Sequence, residues 1–147
     1  MPVGWLLVCL CLGAVCTSSP ETFQVAQASP LDATENRVKF DRVFKLRNGE
    51  AAYVGNAGLV LRFERVTEDA RCPVGNTCVF DGDAVVRVTL RQPPNEPASL
   101  ELHTNPSSTT EGTYLGYRVR LVGLEPRPVG EQYVPLPQYW ATFMVLK

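Results

Sequence analysis

Along much of the chain after residue 58, apolar side chains recur at every second position, the period of a strand with one wet and one dry face. Leu59, Leu61 and Phe63 alternate with Val60, Arg62 and Glu64, and Val86, Val88 and Leu90 alternate with Arg87, Thr89 and Arg91. Leu100 and Leu102 alternate with Glu101 and His103; Tyr117, Val119 and Leu121 alternate with Arg118 and Arg120. Residues 139–146, Tyr-Trp-Ala-Thr-Phe-Met-Val-Leu, are apolar on both faces, which predicts an inner strand. Earlier in the chain, Asn48-Gly49 lies between Phe44-Lys45-Leu46-Arg47 and Glu50-Ala51-Ala52-Tyr53-Val54. Asn-Gly accepts the positive φ angles of a tight turn, so this stretch predicts a hairpin. Proline and glycine clusters at 93–97, 105–112 and 126–137 separate the later strands and forbid long helices there. The pattern predicts an all-β chain, a single antiparallel β-sandwich of about seven or eight strands, immunoglobulin-like, with a small β-barrel as the alternative. Its expected core includes Leu61, Phe63, Val86, Val88, Leu102, Tyr117, Val119, Leu121, Phe143 and Val145.

Residues 3–16 break this rhythm with an apolar run that contains no charged or amide side chain. The run is shorter than the roughly 20 residues that span a bilayer and matches the apolar region of a secretory signal. No Lys or Arg precedes it, so the α-amino group is its only positive charge. A buried N-terminal helix is the competing reading, but the segment has no amphipathic pattern. Cys16 follows Leu12-Gly13-Ala14-Val15, an arrangement similar to a bacterial lipoprotein cleavage site, which makes Cys16 a candidate for lipidation. The expected organisation is a signal over residues 1–18, a polar Pro/Ser/Ala-rich tether over 19–36, and a β-domain over 37–147. Export implies a cell envelope or periplasmic location, membrane attachment arising only through the lipid anchor, or free secretion.

Five cysteines occur, and only Cys72 and Cys78 lie outside the N-terminal apolar segment. Removing that segment leaves one possible pair, and an oxidising compartment would make it a disulfide. Their five-residue separation fits neither the C-x-x-C redox spacing nor the usual two-to-four-residue zinc spacing. Closing so short a loop contributes about 2 kcal/mol on a chain-entropy estimate. Pro73 and Gly75 form turns within the loop, Phe80 is expected to pack just beyond it, and Gly82 permits a tight approach to the next strand.

Asp69-Ala70-Arg71-Cys72-Pro73, Cys78-Val79-Phe80, Gly82 and Ala84, followed by an alternating strand, resemble a group of uncharacterised bacterial secreted proteins and lipoproteins with an Asp-Ser-Arg-Cys-Pro…Cys-x-Trp-x-Gly-x-Ala pattern. The resemblance continues through Gly116-Tyr117-x-Val119-x-Leu121-x-x-Leu124-x-Pro126-x-Pro128 and the closing strand near Tyr139, covering residues 42–147. It implies an envelope location and a small β-domain, and carries no activity with it. Phe80 stands where the pattern has Trp.

A formal charge of −1, with no run of like charges, gives no electrostatic footprint for nucleic acid. No glycine-rich phosphate loop occurs, and the chain suggests no cofactor. His103, the only histidine, sits on a polar strand face beside Glu101 and reads as solvated, since a catalytic base would need a nucleophile partner. Ser107-Ser108-Thr109-Thr110 reads as a flexible loop. Asp81-Gly82-Asp83, with Glu68 and Asp69, offers carboxylates to calcium but lacks an EF-hand pattern, so a β-turn is favoured. The expectation is a non-enzymatic extracytoplasmic domain, structural or binding an unidentified protein or small ligand. One alternative is an inhibitor of secreted proteases. Some cysteine-protease inhibitors of immunoglobulin-like fold project three loops, one carrying Asn-Pro-x-Thr-Gly, and Asn105-Pro106 matches its first two residues. The other is envelope metal binding, for which one histidine and two methionines are a thin ligand supply.

Overall fold

The structure, a computed structural model, describes residues 36–147; the signal, the tether up to its last residue and Cys16 lie outside the described residues. Nine strands form two open sheets: β1 (Arg37–Val38), β2 (Val43–Arg47), β3 (Ala51–Val54), β4 (Leu59–Asp69), β5 (Ala84–Arg91), β6 (Ala98–His103), β7 (Glu111–Tyr114), β8 (Tyr117–Glu125) and β9 (Trp140–Leu146). One sheet runs β1-β3-β4-β5-β6, the other β2-β9-β8-β7, and every pairing is antiparallel except β1 with β3. Among the described residues the only helical element is a 3-10 turn at Leu136–Gln138. The strands therefore number nine rather than seven or eight, because β1 and β7 are too short to show a period in sequence.

Alternation delivers the core. Leu59, Leu61 and Phe63 of β4, Val86, Val88 and Leu90 of β5, Val119 and Leu121 of β8, and Ala141, Phe143 and Val145 of β9 turn inward into one cluster between the sheets. Phe63 meets Phe143 edge-on across the gap, with ring centroids 5.9 Å apart, the geometry that aromatic quadrupoles prefer. Of the expected core residues, Tyr117 alone is only half-buried; it stacks on Phe40 at the margin, 5.4 Å between centroids. β9 is an inner strand, flanked by β2 and β8. On the opposite flank β7 runs so close to β6 that a Cβ on Gly112 would lie 2.7 Å from a Leu100 methyl, so a larger residue there would require the leucine side chain to shift.

The Asn48-Gly49 hairpin does not form. The turn itself exists, with Gly49 at φ +89° and the Glu50 amide donating to the Arg47 carbonyl over 2.9 Å. Its arms part, however: β2 pairs with β9, and β3 pairs with β4 in the other sheet. Turn chemistry fixes a reversal of the chain but not the partner on which each arm lands.

β4 is longer than its alternating segment and carries two register irregularities, between Phe63 and Arg65 and between Val66 and Glu68. The first turns Val66 inward in place of Arg65, and the second restores the odd-numbered phase, so that Asp69 faces the interior at the strand's end. Local twist from such bulges also steers the chain towards the connection that follows.

Candidate loop-end binding site

Three connections meet at one end of the two sheets: 70–83 between β4 and β5, 104–110 between β6 and β7, and 126–139 between β8 and β9. An ion pair built by Asp69 and Arg71 ties the first to the third. The Arg71 guanidinium donates from Nε to Asp69 Oδ1 over 2.8 Å and from Nη2 to Asp69 Oδ2 over 2.6 Å. It also donates to the carbonyls of Leu124 and Pro126, at 2.5 and 2.7 Å, and so holds the end of β8. Tyr139, buried at the start of the last strand, donates its hydroxyl to Asp69 Oδ2 over 2.8 Å. The Asp69 and Arg71 side chains are only 8% and 5% exposed, so every polar atom must be matched, and the planar fork of arginine does the matching. Burial opposes ionisation of Asp69, but the hydrogen bonds from Arg71 and Tyr139 and the guanidinium charge outweigh it and hold its carboxyl below 3.8. Burial first, and then the bond to Asp69, push the Tyr139 hydroxyl well above its ordinary value.

Beyond Arg71 the chain enters the loop closed by the Cys72–Cys78 disulfide, with a Cα separation of 6.0 Å. Within it Gly75 takes φ +88°, and the Asn76 amide reaches back to the Pro73 carbonyl. Backbone bonds from Cys72 to Asp81 (2.9 Å) and from Ala70 to Asp83 (2.7 Å) zip the two stems together. Gly82, at φ +70°, passes the Ala70 carbonyl so closely that a Cβ would lie 2.0 Å from its oxygen. The clasp therefore joins β4 to β5 as the sequence suggested.

Phe80 corrects the expectation of packing beside the clasp. It is 82% exposed and Val79 is 91% exposed. With the disulfide and the backbone zip closing the loop, no apolar neighbour is brought over these side chains. Val74, Val129 and Tyr133 are also exposed at this end, where the Val74 amide donates to the Pro128 carbonyl.

His103 is likewise not a solvated neighbour of Glu101. It is half-buried, and Nδ1 lies 2.5 Å from Asp83 Oδ2, while Glu101 pairs with Arg87. The other Asp83 oxygen accepts the amides of Thr104 and Asn105 and the Thr104 hydroxyl. Partial burial works against the Asp83 charge, but the His103, Asn105 and Thr104 donors prevail and lower its pKa. Asp83 thus fixes the start of the 104–110 connection. Among the described residues the hydrogen bond recorded for the imidazole is the one to Asp83. The carboxylates considered for calcium are dispersed: Asp69 serves Arg71 and Tyr139, Asp83 serves His103 and the 104–105 amides, and Asp81 lies exposed in its loop. Among the described residues no three His, Cys, Asp or Glu side chains gather as a metal site.

Where these connections meet they enclose a cleft of about 580 Å³, lined by residues 78–82, 104–107, 121–124 and 127, together with Arg71. Its floor includes Val122, which the β8–β9 register skips and which is half-exposed. A shallower recess of about 390 Å³ lies between Pro73 and the 128–134 segment, above Tyr139. Sequence reasoning placed the clasp and the turn residues here but not the Asp69–Arg71–Tyr139 cluster. The only trace of it in sequence is a pair of opposite charges two residues apart, Asp69 at the end of β4 and Arg71 just beyond it, which does not by itself tell burial from exposure. Comparison of the chain with protein-family models, with curated proteins and with solved structures finds no match.

Proposed function

We propose that this chain is a non-enzymatic domain of the bacterial cell envelope that binds a protein or small ligand through its loop end. One observation carries the reading: Val79 and Phe80 are presented to solvent by a loop held rigid on both sides. Covering an aromatic side chain contributes about 1.5–3 kcal/mol, and a loop already ordered loses little entropy on contact. Exposed apolar groups on a constrained loop are the anchors that interfaces use. The Cys72–Cys78 disulfide is compatible with an oxidising compartment outside the cytoplasm, in keeping with export and with lipidation at Cys16 or free secretion. Similarity to the secreted and lipoprotein group points the same way. The immunoglobulin-like description extends to the layering only, because β3 to β6 lie side by side in chain order where the immunoglobulin pattern interleaves strands. The test is site-specific photo-crosslinking in the envelope from position 80, with Leu115, exposed on the turn between β7 and β8, as control. Adducts from 80 and none from 115 are expected; equal labelling from both, or none from 80, refutes the reading.

Inhibition of secreted proteases is a second reading, favoured by the meeting of residues 78–82, 104–107 and 127 around one cleft. A panel of serine and cysteine proteases tests it, and Phe80→Ala and Asn105→Ala should each relieve any inhibition.

A further inference from the structure

We infer that the 580 Å³ cleft is a site for a neutral saccharide whose ring stacks on Phe80, a proposal that rests on the loop end being the binding surface. The volume lies within the range of small-molecule sites, roughly 300–1,000 Å³. What identifies the ligand class is the pairing of one exposed aromatic with a polar interior. Phe80, 82% exposed as a residue, stands at the cleft as a flat apolar platform two residues from the disulfide. Asp81, Ser107 and Arg127 also line the cleft, and none makes a hydrogen bond or ion pair with its side chain among the described residues. Arg71 lines it too, but its donors are consumed by Asp69 and two carbonyls.

One uncommitted acid and one uncommitted base leave the site with no net charge, which disfavours a strongly anionic or cationic ligand. A purely apolar ligand covering these polar groups would offer them no partners in place of water. A pyranose satisfies both demands, because its axial C–H bonds form an apolar face and its hydroxyls form a rim of donors and acceptors. The bulge at Val122 adds backbone groups to the floor, since a bulged residue stands outside the ladder. Asp81 would accept from adjacent hydroxyls and Arg127 would donate to a hydroxyl or ring oxygen, while Phe80 supplies the stacking face.

The experiment titrates the purified full-length protein, disulfide intact, with chitotetraose, cellotetraose and maltotetraose, followed by amide NMR shifts and calorimetry. Saturable binding of at least one tetrasaccharide is expected, with shifts confined to 78–82, 104–107, 121–124 and 127. Phe80→Ala and Asp81→Asn should each weaken it tenfold or more, with thermal stability unchanged, and Leu115→Ala should leave it unaltered. No binding of any of the three at millimolar concentration, or binding insensitive to Phe80→Ala, overturns the proposal. Phe80-dependent crosslinking to a protein together with an absence of saccharide binding would overturn this inference alone and leave the loop-end reading standing.

Discussion

Removing the Arg71 guanidinium should be among the most damaging single changes available to this fold. Arg71→Met keeps an apolar stem of similar length and deletes every donor. It leaves Asp69, 8% exposed, with the Tyr139 hydroxyl as its principal partner, and it strips the carbonyls of Leu124 and Pro126. Breaking a buried pair from one side costs about 3–5 kcal/mol, chiefly because the remaining charge is uncompensated. The same logic makes the pair's net contribution much smaller than the cost of breaking it, since both ions were desolvated to form it. Asp69→Leu/Arg71→Met should therefore cost well under the sum of the single changes, with a coupling energy of about 2 kcal/mol or more. Urea unfolding at pH 7, followed by far-ultraviolet circular dichroism, measures this through the midpoint, provided the slope is unchanged. A loss below about 1 kcal/mol for Arg71→Met, or additive behaviour in the double variant, would refute the view that this cluster holds the loop end together.

Truncating the core should show the expected asymmetry: Phe143→Ala, at a fully buried position, about 3–5 kcal/mol by urea unfolding, against a few tenths for exposed Arg118→Ala. Cys72→Ala/Cys78→Ala should keep the fold and lower stability by about 2–3 kcal/mol, because the loop is short and its stems are also zipped by backbone bonds; a circular dichroism spectrum of an unfolded chain would contradict this. The lowered pKa of Asp69 sets the sign of the acid response. Its stabilising charge is fully present above the ordinary 3.8 and is lost as pH falls through the lower folded value, so Asp69→Asn should flatten the acid limb of a stability profile below about pH 4. Tyr139, raised in the folded state, keeps its contribution below its ordinary 10.0 and loses it at higher pH; Tyr139→Phe should abolish that alkaline limb.

Period-two alternation made the layered β architecture legible because burial on one face of a strand is a local property, readable from four to eight residues. Leu59, Leu61, Phe63, Val86, Val88 and Leu90 all fell where alternation put them. Pairing partners were less legible, as β2 shows. Lys45 faces Thr142 and Leu46 faces Ala141, contacts that span most of the domain, whereas Asn48-Gly49 reports only that the chain reverses. The phase of β4 beyond Phe63 was hidden for a different reason. Strict alternation would turn Arg65 inward, and only a pair of bulges lets Val66 replace it and returns Asp69 to the interior. Bulges leave no residue signature of their own in this strand, so the buried charge cluster at its end was not visible from pattern alone.

At the loop end, residue type was a guide to turns and a poor guide to burial. Gly75 and Gly82 were legible because positive φ and the approach to Ala70 demand a missing Cβ. Phe80 was not, because an aromatic is buried only when the fold brings a neighbour over it. A loop lacking other constraints would need such a neighbour, and folding would place the ring against it. Here a disulfide, two backbone bonds and the Gly82 contact close the loop without help from the ring. The aromatic is thereby released from a structural task, and about 1.5–3 kcal/mol of burial is left unrealised in the isolated chain. Pro73 and the paired cysteines stiffen the same segment, so contact with another molecule would recover that free energy at small entropic cost. The clasp and the exposed ring are in this sense one device: the first makes the second unnecessary for folding and, on the proposed loop-end reading, holds it in place for binding.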